Sequence, residues 1–89
     1  REVSTGQGME MAGDKAAFET RDFYLACFLR CTGYDLIDLR AERRRKVFVF
    51  RDRPMRRADV LAFYSDTISV RPLAFASTIK DMKGLLHNG

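Results

Sequence analysis

Four consecutive strand-formers, Val47-Phe48-Val49-Phe50, stand between two cationic segments, and no other feature constrains the fold of this chain as much. β-Branched and aromatic side chains suit a pleated surface. Neighbouring residues on a strand point to opposite faces, so an unbroken apolar run calls for burial on both faces or nearly so. Residues 45–51 are therefore predicted as a strand. Upstream, Tyr34-Asp35-Leu36-Ile37-Asp38-Leu39 reads as another strand, and the short polar link over 40–44 makes the two an antiparallel hairpin. The link contains no Asn-Gly pair, so a loop of more than two residues is expected. Asp35 and Asp38, three apart, are expected on opposite faces, which argues against a paired-carboxylate site.

Helical periodicity flanks the hairpin. A first helix is predicted over 22–32, with Thr20 or Asp22 as its cap and Gly33 as the residue that ends it. Leu25, Phe28 and Leu29 form its inner face, widened by Tyr24, Cys27 and Cys31, so it belongs at the centre of the core. A second helix starts after Asp52, read as its N-cap, with Pro54 in the first turn. Its inner face is expected to be Ala58, Leu61 and Ala62, with Met55, Phe63 and Tyr64 at the margins. Ile68-Ser69-Val70 is a candidate third, edge strand. A third helix runs from Pro72 to about Leu86, where Phe75, Ile79, Met82 and Leu86 recur at helical spacing.

The predicted architecture is α+β: a small antiparallel hairpin or three-stranded sheet with about three helices on one face, in the order α-β-β-α-(β)-α. Leu25, Phe28, Leu29, Val47, Val49, Leu61, Phe75, Ile79 and Met82 are the expected core. Residues 1–17 are read as a disordered or vector-derived leader, 18–87 as a single globular domain and 88–89 as a tail. No apolar run reaches the roughly 20 residues of a membrane-spanning helix, and 1–17 holds no signal-peptide core; a cytoplasmic protein without membrane contact is expected.

Charge is distributed unevenly. Residues 40–57 hold nine cations and two acids, a net +7, on a chain whose total is +4. Arginine dominates, and its planar guanidinium suits phosphate and carboxylate. Arg43, Arg44, Arg45 and Lys46 fall at the hairpin tip and the start of the second strand. Arg53, Arg56 and Arg57 fall at the start of the second helix, where the helix dipole favours anions over cations. A bound phosphate or carboxylate would relieve that conflict. These seven residues are the candidate anion- or nucleic-acid-binding site, imagined as one patch running along the second strand.

The materials of catalysis are sparse. Cys27 and Cys31 lie one helical turn apart and lack a second ligand pair for a metal, so they read as reduced thiols. His87 stands near the end of the sequence without an evident partner. Asp22, Asp52 and Asp66 are explained as helix-end residues. Gly6-Gln7-Gly8 has neither the strand nor the helix of a phosphate loop. No catalytic residue, metal or cofactor is assigned, and an enzyme is not expected.

The stretch Thr20-Arg21-Asp22-Phe23-Tyr24-Leu25-Ala26, then Phe28-Leu29 and Gly33, resembles the T-x-D-F-Y-L-A-x-F-L-x-x-x-G opening of a short, uncharacterised bacterial domain family. Val47-Phe48-Val49-Phe50-Arg51-Asp52 resembles its middle strand. Phe63-Tyr64, Pro72-Leu73-Ala74-Phe75 and Ile79-Lys80-Asp81-Met82-Lys83 resemble its closing part. The likeness spans about residues 18–87. It implies a free-standing bacterial domain and supplies no catalytic residue.

Two functional readings remain open. One is a small nucleic-acid-binding module that grips the phosphate backbone with little sequence specificity. Phe48 and Phe50 could stack on bases only if one sheet face is open, and they are expected in the core instead. The other is a protein-interaction or homodimerisation module whose arginines meet an acidic partner.

Overall fold

A computed structural model describes residues 17–88. In chain order the elements are β1 (Ala17–Thr20), α1 (Phe23–Cys31), β2 (Leu36–Glu42), β3 (Arg45–Arg51), α2 (Arg56–Tyr64) and α3 (Pro72–Asn88). The strands form one antiparallel sheet in the order β1-β3-β2, so the protein is α+β as expected. The apolar run is the central strand, and Val47, Phe48, Val49 and Phe50 are all buried. Phe48 and Phe50 join Leu25, Phe28 and Leu29 of α1, Tyr34, and Met82 of α3 in the core. Phe75, Ile79 and Leu86 complete the predicted α3 stripe against it.

The third strand is not where the sequence suggested. Residues 68–70 form no strand, and Ile68 and Val70 pack against the core instead. β3 has only two edges: β2 takes one, and β1 takes the other with Ala17 opposite Arg51 and Thr20 opposite Phe48. The observed order is thus β-α-β-β-α-α. Ala17 belongs to the sheet, and the rest of the expected leader lies outside the described residues.

The hairpin also corrects two expectations. Glu42 pairs with Arg45, leaving a two-residue loop, Arg43-Arg44. Arg43 supplies the positive φ, 55°, that tight hairpin turns demand, although it is not glycine. A register shift between Leu36 and Asp38 makes Ile37 a bulge residue. One extra residue reverses the alternation. Asp38 opposes Val49, while the Asp35 carbonyl accepts the Arg51 amide, so both aspartates fall on the face of Val49 and Arg51 rather than on opposite faces.

That face carries cross-sheet ion pairs. Arg40 on β2 reaches Glu19 on β1 in a bidentate pair, 2.8 and 2.9 Å, spanning the strand of Val47 and Val49. Arg21 pairs with Glu42, and Arg51 lies 3.8 Å from Asp35. The hydrogen bonds from Arg40 hold the Glu19 carboxyl below its ordinary pKa.

α1 is fixed at both ends. Asp22 caps it, its Oδ1 accepting from the Tyr24 and Leu25 amides at 3.0 and 3.1 Å, and Thr20 Oγ1 accepts the Asp22 amide. At the other end Gly33, with φ 99°, donates to Arg30 O while Tyr34 donates to Leu29 O. These are the two bonds of a Schellman motif.

α2 departs most from its predicted orientation. Asp52 is not its N-cap; Met55 holds that position without a side-chain bond. Asp52 Oδ1 instead accepts from the Arg53 amide and from Arg56 Nε at 3.1 Å. Val60 and Phe63 face the core, with Phe63 stacked on Phe28 at 5.4 Å. Leu61, expected inside, is 69% exposed, and Ala58 is exposed as well. The reason is the anchoring of the helix by residues outside the periodic apolar set: Tyr34 donates to Asp59 on one side, and Tyr64 donates to Asp22 on the other.

Candidate functional site

The seven predicted cations fall into two groups at opposite ends of β3. Seven residues of strand at about 3.4 Å each separate them by roughly 20 Å, too far to share one small ligand. The strip between them is not uniformly basic, because Arg40, Arg51 and Arg21 each face a carboxylate there.

At the α2 end, Arg53 and Arg56 have partners within the fold. The Arg53 guanidinium lies 4.5 Å over the Tyr34 ring and donates to Gly33 O at 2.8 Å. That contact tethers the segment leading into α2 to the end of α1. Arg56 pairs with Asp52 and lies 4.4 Å over the Phe18 ring. The conflict with the helix dipole is thereby eased from within, with Asp59 also present in the first turn. Arg57 is exposed.

The tip is different. Arg43, Arg44 and Arg45 are exposed and Lys46 is half-buried; none of the four has an ion-pair partner among the described residues. With Glu42 the three arginines line an open recess of about 610 Å³. Beside it, a smaller recess of about 260 Å³ is lined by Arg21, Phe23, Arg45, Lys46, Phe48 and Leu86. The two share Arg45. Five cations therefore surround the tip against one carboxylate, Glu42, which is already paired with Arg21.

Sequence reasoning missed Arg21, Phe23 and Leu86. Arg21 and Phe23 reach this end only because β1 pairs with β3, which sets Thr20 opposite Phe48. Leu86 reaches it because α3 packs on α1. The signal within the sequence was slight: Arg21 and Phe23 flank the capping residue Asp22, where only the helix start was legible.

The remaining candidates are structural in their surroundings. Cys27 is buried, and burial pushes its thiol up to about 11. Cys31, half-buried, borders a recess between α1 and α3, and the two thiols are not joined. Among the described residues no cluster of three or more His, Cys, Asp or Glu could hold a metal ion, and no helix is long and apolar enough to cross a membrane.

Fold and site together define a small α+β domain whose hairpin tip, among the described residues, is formed by Arg43, Arg44 and Arg45. The chain belongs to a family described as a domain of unknown function, DUF5659, which matches residues 15–88. No curated protein and no solved structure matches it.

Proposed function

We propose that this domain is a non-catalytic module that binds nucleic acid through the hairpin tip, with Arg43, Arg44, Arg45 and Lys46 as the contacts to backbone phosphates. The observation that carries the proposal is the contrast between the two arginine groups. Arg53 and Arg56 have partners in the fold, whereas the four tip cations have no carboxylate partner among the described residues. Cations without such partners, concentrated at a hairpin tip, favour a polyanion, whose binding releases condensed counterions. Little sequence specificity is expected, since phosphate contacts position a protein without reading bases.

The experiment is fluorescence anisotropy of a labelled oligonucleotide at about 50 mM salt, where such contacts are strongest. The wild-type protein should bind, with an affinity that falls steeply as salt rises. Replacing Arg43, Arg44 and Arg45 by Ser should weaken binding at least about tenfold and reduce the salt slope by about two, as expected for two or three lost phosphate contacts. Absence of wild-type binding at low salt, or unchanged binding by the tip variant, overturns the proposal. Binding confined to an acidic protein would transfer the tip to the interaction reading.

A further inference from the structure

We infer that the recess beside the tip takes an unpaired nucleobase, so that the nucleic acid recognised is single-stranded. This rests on the reading of the tip as a nucleic-acid contact and specifies the substrate class of that same site. The recess has an apolar floor of Phe23, Phe48 and Leu86 and a cationic rim of Arg21, Arg45 and Lys46. Phe48 is almost wholly buried, but Phe23 is only partly so. Tyr24, 54% exposed, packs against Phe23 edge to face at 5.3 Å and widens the aromatic surface at the start of α1.

A purely electrostatic tip has no use for this arrangement. Phosphates sit on the rim, but no phosphate belongs on an aromatic floor. A base offers an apolar π-face, and in a single strand that face can leave its neighbours while the flanking phosphates stay among the cations. In a duplex the same faces are stacked and unavailable. Asp22 occupies the amides at the start of α1, so the helix N-terminus is not the attraction for the anion. The occupant is therefore selected by charge at the rim and by aromatic surface at the floor.

The test compares three probes at equal salt: an oligothymidylate of about 12 nucleotides, within the span such sites cover; an abasic strand of the same length and charge; and a duplex. The oligothymidylate should bind about fivefold or more tighter than the abasic strand, the gain expected from one stacked base. Phe23→Leu keeps the apolar contact with the core while removing the π-face. It should erase that preference and leave the melting temperature near that of the wild type. Phe23→Tyr should retain the preference. If the abasic strand or the duplex binds the wild-type protein as tightly as the oligothymidylate, the inference fails while the tip reading survives; if no probe binds, the tip reading itself has failed. The wild-type comparison decides the matter even if the Phe23 variants fold poorly.

Discussion

The Tyr34 hydroxyl donates to Asp59 Oδ2 at 2.7 Å, joining the residue that closes α1 to the first turn of α2. Tyr34 is fully buried, and its ring also meets Phe50 edge to face and carries the Arg53 guanidinium. One side chain thus connects α1, the central strand and the start of α2. Because α2 has no fully buried residue, bonds of this kind matter to its attachment more than apolar area does.

Alkaline pH should reveal this bond. Burial, and then the hydrogen bond to Asp59, raise the Tyr34 phenol well above its ordinary pKa. An unfolded phenol ionises near pH 10, while the folded one keeps its proton. Above that pH the unfolded state holds fewer protons, so stability present below about pH 10 is lost as pH rises further. Melting temperatures of wild type and Tyr34→Phe, followed from about pH 8 to 12, should converge as pH rises. At neutral pH the variant should lose about 1–2 kcal/mol, the worth of a hydrogen bond to a charged acceptor that water can partly replace.

Two glycines should respond in opposite directions to alanine. Gly33 sits at φ 99°, which an L side chain adopts only at a cost of about 1–2 kcal/mol, so Gly33→Ala should lower stability by that amount. Gly84 lies within α3, and a Cβ there meets no neighbouring atom within 4 Å. Gly84→Ala should stabilise by about 0.5–1 kcal/mol, raising the melting temperature by roughly 2–8 °C. Paired thermal melts of the two variants provide the check.

Arg53 and Arg56, at the α2 end, should behave as structural residues. Arg56→Ala removes an ion pair with Asp52 and a cation–π contact with Phe18 and should cost about 1 kcal/mol. Arg44→Ala, on the exposed loop, should stay within about 0.5 kcal/mol of wild type. Urea denaturation of each separates the groups without any ligand. Equal effects would argue against the division between tip and helix start.

Core truncation should follow the observed rather than the predicted inner face of α2. Phe28→Ala, removing a buried ring that stacks on Phe63, should cost about 3–5 kcal/mol. Leu61→Lys places a charge on an exposed site and should change stability by no more than about 0.5 kcal/mol. Circular dichroism melts distinguish the two outcomes directly.

The sequence by itself determined the elements whose evidence is local. The Val47–Phe50 run read as a strand covered on both faces or nearly so, and the Leu25, Phe28, Leu29 spacing as a core helix, because side-chain periodicity follows from backbone geometry alone. Asp22 and Gly33 marked the ends of α1 for the same reason: capping satisfies amides and carbonyls a few residues away. Also legible was the cationic character of residues 43–46, which needs no partner to be recognised. What only the tertiary structure decided depends on residues distant in the chain. β1 is too short to carry a clear pattern and becomes a strand because β3 offers a free edge. The bulge at Ile37 shifts the two aspartates to one face, which no alternation rule anticipates. α2 turns Leu61 outward because Tyr34 and Asp22, more than twenty residues upstream, hold Asp59 and Tyr64. Arg53 and Arg56, alike in sequence to the tip arginines, differ from them only in what the fold sets beside them: an aromatic ring for each, with a carbonyl for Arg53 and a carboxylate for Arg56. A charge is written in the sequence, but whether it is already neutralised is settled by its neighbours in space.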